Sequence, residues 1–173
     1  PGVASWDLLG NVVPFIDGED EKIETETPKI LGELQRDGIA NHPVTISAQA
    51  TRVPVLDGHT ECISIGFDRT PADLEIEEAL STFAGRPQAL GLPSAPRRPI
   101  VCRAEPDRPQ PRLDAAQEGG MTVTVGRIRR CPVLGHRLVA LGHNTIRGAA
   151  GAAILNAELL ASDGWLVDGV TPW

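Results

Sequence analysis

Two kinds of hydrophobic pattern alternate along the chain: short runs rich in Val and Ile, and amphipathic stretches with helical spacing. Residues 44–56, VTISAQATRVPVL, have the composition of a strand, and residues 59–67, HTECISIGF, resume it after Asp57 and Gly58. Two strand-like runs separated by an Asp-Gly pair are typical of a β-hairpin with a two-residue turn. The pattern therefore predicts a hairpin over 44–67.

Helix signals follow the predicted hairpin. Thr70 and Pro71 form a cap and first-turn pair, and the apolar residues after them recur on one face. This pattern predicts a helix over 71–83, with an apolar face made by Ile76, Ala79, Leu80 and Phe83. A second helix is predicted over the Ala-rich stretch 147–162.

The remaining strands lie in the second half of the chain. Residues 86–112 contain seven prolines and six arginines, so this stretch can hold at most one short strand, around 100–103. Alternating apolar residues predict further strands over 121–129 and 136–141. Strands mixed with a few helices predict an α+β fold.

Composition and charge narrow the class of protein. The chain has 173 residues, 41% of them apolar, which is enough for a packed core. Its net charge of −7 disfavours binding to nucleic acid or to an anionic membrane, and no apolar run is long enough to span a bilayer. We expect a cytoplasmic protein and, because the chain begins with Pro1 rather than Met, part of a longer polypeptide.

The cysteines suggest neither a disulfide framework nor a metal site. Cys62, Cys102 and Cys131 lie far apart, without a CxxC pair or a histidine at metal-ligand spacing. We expect a reducing compartment, no bound metal, and three buried, unreactive thiols.

Arg52 and His59 are the first candidates for chemistry. In the predicted hairpin they share one sheet face, about 13 Å apart along the strands. A guanidinium and an imidazole facing one space could grip a small carboxylate substrate and move a proton. The alternative is structural: Arg52 forms a salt bridge with a nearby acid and His59 is a turn residue.

Three further residues are candidates with structural alternatives. Glu19 and Lys22, in the acidic run GEDEKIETE, would share a helix face and could hold a zwitterion or a phosphate, or they could be a solvated charged helix start. Asn144 closes a strand just before the Ala-rich helix. The backbone amides of 148–150 after it could meet a ligand phosphate, or GHN and the glycine-containing helix start could equally be a cap and turn.

Taken together, these motifs carry a resemblance to a known family. NVVPFI followed by ExxK, RVPVLDGHTE, PDRPQPRLD, VTVGRIR and LGHNTIRGAAGAAILNAELL occur in that order. They resemble the carboxyl-terminal portion of the aspartate-semialdehyde dehydrogenase family, in its fungal and archaeal branch, over nearly the whole chain.

The resemblance implies an activity and roles for particular residues. Enzymes of this family reductively dephosphorylate aspartyl phosphate to aspartate semialdehyde with NADPH, through a thioester on a catalytic cysteine, in threonine, methionine, isoleucine and lysine biosynthesis. His59 matches the acid/base histidine and Arg52 the arginine that binds the substrate carboxylate. Glu19 matches the acid at the substrate amino group, Lys22 the phosphate-binding lysine, and Asn144 a residue near the nicotinamide of NADP.

Part of the family pattern is missing from the sequence. It contains no Gly-x-Gly-x-x-Gly and no Asn-Cys pair, so the cofactor-binding domain and the nucleophilic cysteine of the family are absent. We expect a catalytic and dimerisation domain over 1–142 and a helix and tail over 143–173 that pack on the missing domain. Such a chain should be inactive alone.

The resemblance also implies a fold and an assembly. The expected fold is a mixed, largely antiparallel sheet with helices on one face, like the carboxyl-terminal domain of glyceraldehyde-3-phosphate dehydrogenase, in a homodimer or higher oligomer. Two alternatives stay open: a domain like that of N-acetyl-glutamyl-phosphate reductase, and a dimerisation module with no ligand of its own.

Overall fold

The structure, a computed structural model, describes residues 5–166 of the chain. The chain divides into two compact units, the first ending at Pro54 and the second beginning at Val55. Within residues 5–166, no helix is both long enough and apolar enough to cross a membrane.

The first unit is built around one helix and a small hairpin. Its elements are α1 (Ser5–Leu8), α2 (Glu19–Ile30), β1 (Glu33–Gln35) and β2 (Gly38–Ala40). The two strands pair antiparallel, with Leu34 opposite Ile39. Pro28 lies in the last turns of α2, and its carbonyl oxygen accepts a hydrogen bond from the His42 amide at 2.9 Å.

The predicted hairpin over 44–67 is wrong in its first arm. Residues 41–51 are extended but pair with no strand, and Arg52 forms an isolated antiparallel bridge with Val13. The Ala48 and Ala50 amides donate instead to the carboxylates of Glu24 (2.8 Å) and Asp20 (2.5 Å) on α2. Because those donors are already satisfied, this segment does not form a ladder with the strand that follows.

The second unit contains a four-stranded sheet in the order β3-β6-β5-β4. Its elements are β3 (His59–Ile65), α3 (Asp73–Ser81), α4 (Arg86–Ala89), β4 (Ile100–Arg103), α5 (Pro111–Asp114), a 3₁₀ turn (Gln117–Gly120), β5 (Val123–Cys131), β6 (Gly135–Gly142), a π turn (Ile146–Ala150) and α6 (Gly151–Ser162). The β3–β6 and β6–β5 pairs are antiparallel and the β5–β4 pair is parallel. The predicted α+β class with a mixed, largely antiparallel sheet is confirmed.

Local predictions in this unit are largely confirmed. The single short strand in the proline-rich stretch is β4, and the Ala-rich helix is α6 with the π turn before it. The helix predicted over 71–83 begins later, at Asp73, and the predicted cap at Thr70 is wrong. Glu75 reaches back and accepts a hydrogen bond from the Ala72 amide at 2.6 Å, which starts the helix at that point.

The core of the second unit is small. Among the residues that the structure describes, the buried apolar side chains are those of Ile76, Ala115, Met121, Val125, Leu141 and Leu155. Ile76 is the buried member of the apolar face predicted for α3, whereas Phe83 is 55% exposed. His136 on β6 is fully buried, with Nε2 3.1 Å from Oδ1 of Asp73, so this pair joins the start of α3 to the sheet.

Candidate active site

The start of α2 carries two of the predicted site residues. Gly18 caps the helix in the left-handed region (φ 68°), and Glu19 and Lys22 follow at a spacing of three, as predicted. Residues three apart on a helix lie on the same side. Glu19 is half-buried and Lys22 is exposed.

The backbone of Arg52 is fixed from two directions. Its amide donates to the Val13 carbonyl at 2.8 Å, and its carbonyl accepts from the Val13 amide at 3.1 Å. The preceding segment is held to α2 through Ala48 and Ala50. Alternate residues from Val44 onward are half-buried, and Arg52 continues that phase.

Three residues of the first unit therefore have backbones that are held in place and side chains that have no partner. Within residues 5–166, the side chains of Glu19, Lys22 and Arg52 take part in no hydrogen bond and no ion pair, whereas Asp20 and Glu24 on the same helix are occupied by backbone amides. One carboxylate and two cations remain available for a small ligand bearing both signs of charge.

His59 is the first residue of β3 in the second unit, where it pairs with Gly142 of β6. Its side chain is exposed, and the preceding residue, Gly58, is buried with φ 108°. A Cβ at Gly58 would stand 3.0 Å from Cδ1 of Leu141, and it would be in van der Waals contact with the Cβ atoms of Pro111 and Ala115. Only glycine fits this position, for its backbone angle and for its space.

Asn144 lies beside the same turn. Its Oδ1 accepts a hydrogen bond from the Gly58 amide at 3.1 Å. The neighbouring His143 accepts the Thr145 and Ile146 amides on Nδ1 at 3.3 and 3.4 Å, which caps the π turn. The GHN sequence therefore forms a turn with side-chain caps, and its contact with a ligand stays a prediction.

The buried carboxylate of Asp114 anchors α5, the helix that packs next to this turn. Asp114 lies at the end of α5. Its Oδ2 accepts from Nε of Arg108 (2.7 Å) and from the Gln110 amide (2.7 Å), and its Oδ1 accepts from Nε2 of Gln117 (2.9 Å) and from Nη2 of Arg108. Burial raises the pKa of Asp114, but these hydrogen bonds and the charge of Arg108 more than offset burial, so the pKa lies below the usual range for Asp. The network anchors α5, which carries the Pro111 surface against Gly58.

Comparison with known proteins identifies the family. Residues 1–147 match the family described as "Semialdehyde dehydrogenase, dimerisation domain". The chain belongs to this family.

Relatives of the chain carry one name. The chain is 52% identical over 161 residues to the aspartate-semialdehyde dehydrogenase of Methanothermobacter thermautotrophicus, and the match covers 92% of the chain and 46% of the relative. It is 49% identical to that of Schizosaccharomyces pombe over 170 residues, covering 95% and 47%. The chain spans about half the length of the relatives it matches.

Solved structures agree with this assignment. Aspartate semialdehyde dehydrogenase from Candida albicans, determined with NADP, matches at a TM-score of 0.88 and 46% identity, covering 96% of the chain and 48% of that protein. The Vibrio cholerae enzyme II complexed with ASA matches at a TM-score of 0.71 and 26% identity, covering 89% and 42%. The resemblance stated from the motifs is confirmed.

The predicted hairpin that would place Arg52 and His59 on one sheet face is not present. The two were expected on one hairpin face, but β3 pairs with β6, and Arg52 pairs with Val13. The dimerisation domain therefore carries Arg52, Glu19 and Lys22 on its first unit, and His59 and Asn144 on its second.

The expectation that all three cysteines are buried is also wrong, whereas their lack of reactivity stays a prediction. Cys62 is exposed, and Cys102 and Cys131 are partly exposed. Hydrogen bonds from the Leu134 and Val133 amides, with smaller contributions from other neighbours, lower the pKa of Cys131. Burial and the nearby carboxylate of Glu77 raise the pKa of Cys102. Within the described part of the chain, no cluster of His, Cys, Asp or Glu could hold a metal ion.

Sequence reasoning missed the role of the Asp114 network. PDRPQPRLD was singled out as a motif without a function for its carboxylate. An Asp placed just after a stretch dense in Arg and Pro is the available signal, because several cations close in sequence favour a shared buried acceptor.

Proposed function

We propose that this chain is the substrate-binding and dimerisation part of an NADP-dependent aspartate-semialdehyde dehydrogenase. Such an enzyme converts aspartyl phosphate to aspartate semialdehyde and phosphate. One observation supports the proposal most: the backbones of the residues that match the family's substrate and acid/base positions are held firmly, while their side chains have no partner among the described residues.

The charges of the first unit complement those of the substrate. Aspartyl phosphate carries a carboxylate, an ammonium and a phosphate. Arg52 offers two parallel N–H donors to the carboxylate, Glu19 an acceptor to the ammonium, and Lys22 a point charge to the phosphate. Each of these groups would otherwise be satisfied by water alone.

His59 is proposed as the acid/base. Imidazole is the side chain whose protonation changes nearest neutral pH, and here it projects from a strand end that is held by the sheet. It can take a proton from the attacking thiol and return one to the reacting oxygen. The thiol itself must come from outside the motifs present in this chain.

NADP, when bound, supplies or accepts the hydride. Of the residues described, Asn144 offers the cofactor the Nδ2 donor that its Gly58 hydrogen bond leaves unused. Residues 5–166 contain no glycine-rich phosphate cradle, so the nucleotide phosphates would be bound by another polypeptide segment. We propose that residues 143–173 pack against that segment and residues 1–142 form the catalytic and dimerisation domain.

The proposal includes a homodimer or higher oligomer in the cytoplasm. Large apolar side chains of the second unit remain in water, among them Leu74 (76% exposed) and Val133 (81% exposed). Covering them against a second copy would stabilise both chains. Three free cysteines fit a reducing compartment, and a net charge of −7 argues against a nucleic-acid or membrane partner.

The test is a joined enzyme, in which this chain replaces the matching part of the Methanothermobacter thermautotrophicus relative. We expect phosphate-dependent NADP reduction with aspartate semialdehyde, and no turnover from the 173-residue chain alone. His59→Ala should lower kcat of the joined enzyme by roughly 10²- to 10⁴-fold.

The alternatives predict different outcomes. Preference for N-acetyl-glutamate semialdehyde would favour the N-acetyl-glutamyl-phosphate reductase function. A joined enzyme that is dimeric and binds NADP but turns over neither aldehyde would favour the dimerisation module. Turnover by the 173-residue chain alone would mean that one of its own cysteines is the nucleophile.

A further inference from the structure

The turn that precedes His59 is fixed on two sides by the fold. On one side, β3 begins at His59 and pairs with Gly142, the last residue of β6. On another, Gly58 is buried, and a Cβ placed on it would meet side-chain atoms of Leu141, Pro111 and Ala115. These contacts fix the position of Gly58 but leave the plane of its peptide free to rotate.

The segment before Gly58 contributes no restraint. Among the described residues, 55–57 make no backbone hydrogen bond, and Leu56 is fully exposed. The peptide joining Asp57 to Gly58 is therefore restrained only from the side of Asn144.

Asn144 supplies that restraint with its side chain. β6 has ended two residues earlier, so no backbone carbonyl of the strand remains opposite Gly58. The Asn144 Oδ1 takes its place and accepts the Gly58 amide at 3.1 Å. The side-chain amide thus extends the β3–β6 pairing by one residue, up to the residue next to His59.

We propose that Asn144 is a positioning residue for His59, acting through the Gly58 N–H. The proposal rests on the proposed function, in which His59 is the acid/base. Holding the 57–58 peptide fixes the direction in which the His59 side chain leaves the strand, and a misplacement of about 1 Å at such a group can lower a rate on the order of 10²-fold.

A direct cofactor contact would use the other end of the same amide. Positioning uses Oδ1 as an acceptor, whereas a contact with NADP would use Nδ2 as a donor. Asn144→Asp keeps an acceptor and removes the donor, and Asn144→Leu removes both at similar volume. The pair of variants therefore separates the two roles.

The experiment measures steady-state kinetics of the joined enzyme. For Asn144→Leu we expect kcat at saturating NADP to fall by roughly 30- to 100-fold with the KM for aspartate semialdehyde within about threefold, because the substrate contacts are retained. Asn144→Asp should recover kcat to within about fivefold. The matched control is Asn41→Leu, since Asn41 in the first unit is exposed and its side chain is unpartnered in the described structure.

Hydrogen exchange followed by mass spectrometry gives a readout independent of turnover. In Asn144→Leu, a peptide spanning 57–62 should exchange at least tenfold faster, while peptides from β5 keep their protection. Loss of protection across the whole second unit would instead mean that Asn144 merely stabilises the fold, and would overturn the proposal.

Two kinetic outcomes would also overturn it. One is an unchanged kcat in Asn144→Leu. The other is an Asn144→Asp variant whose kcat at saturating NADP is as low as that of Asn144→Leu, because Asn144→Asp keeps the acceptor for the Gly58 amide. If the unsubstituted joined enzyme had no turnover, the proposed function would fail, and exchange at Gly58 would still decide whether Asn144 orders the turn.

Discussion

The two units of the chain are stabilised in different ways. No residue between 7 and 54 is buried, whereas the described part of the second unit has six buried apolar residues and a fully buried Asp114 paired with a partly buried Arg108. The first unit is held by polar contacts, chiefly carboxylates of α2 that accept backbone amides from residues 48 and 50. Burial of apolar surface is the larger source of stability, so the second unit should be the more resistant to unfolding.

This difference matches the proposed division of labour. The groups that would grip the substrate, Arg52 among them, lie on the polar unit, where a bound ligand can itself add order. His59, which would move the proton, stands at the edge of the core-supported unit. Substrate-binding side chains can become ordered when the substrate binds, but an acid/base group must be aligned before the reaction begins.

The strongest test removes the buried charge of the second unit. Asp114→Asn should lower the free energy of unfolding by about 3 kcal/mol, because Arg108 then keeps a partly buried charge without its counterion. Urea denaturation followed by circular dichroism measures this, with Asp68→Asn, an exposed aspartate, as the matched control. A loss of unfolding free energy below about 1 kcal/mol would mean that the Asp114 network contributes little to the stability of the second unit.

A change at the substrate grip of the first unit should affect catalysis rather than stability. In the joined enzyme, Arg52→Lys should cost about 2 kcal/mol in kcat/KM, because one ammonium cannot reproduce two parallel hydrogen bonds on a carboxylate. Arg36→Lys, in the turn between β1 and β2, is the matched control. Near-normal kcat/KM for Arg52→Lys would remove Arg52 from the site.

Acid should affect the second unit through Asp114. Its pKa is lowered in the folded state, so its contribution to stability is present above the unfolded pKa, near 3.9, and is lost as the pH falls through the lowered value. Below pH 4, unfolding free energies should fall more steeply with decreasing pH for the native chain than for Asp114→Asn, by up to about 1.4 kcal/mol per pH unit. Parallel curves for the two proteins would contradict this.

The smallest expected effect lies in the first unit. Asp20→Ala removes the acceptor of the Ala50 amide near the protein surface, and should cost about 1 kcal/mol or less. Hydrogen exchange at Ala50 should accelerate while exchange in β5 stays unchanged, and Glu21→Ala, one residue along the same helix, serves as control. Acceleration in both units would mean that their stabilities are coupled.

Local patterns predicted most of the second unit but little of the first. The strand-like sequences of β5 and β6 and the helix-forming residues of α6 are local signals, and they predict each element whatever it pairs with. The 44–56 run also has strand composition, yet its amides are taken by Asp20 and Glu24, far away in sequence. Composition shows that a segment is extended, but the choice of partner depends on distant residues.

The candidate site shows the same limit. The helical placement of Glu19 and Lys22 followed from local sequence and is confirmed. The motif resemblance named the family correctly, whereas the predicted route by which Arg52 and His59 would meet was wrong. Asp114 was missed because a carboxylate in a loop has no periodicity that distinguishes a buried acceptor from a solvated one.

The close approach of Met121 to α6 also bears on oxidative damage. Met121 is the chain's one methionine and is buried, and its Sδ occupies the space that a Cβ at Gly151 would need. A sulfoxide oxygen would add volume and polarity where the helix and the sulfur are already in contact. Oxidation of Met121 would therefore displace the first turn of α6 from the sulfur. Methionine sulfoxide at Met121 would then indicate that α6 had moved away from its packed position.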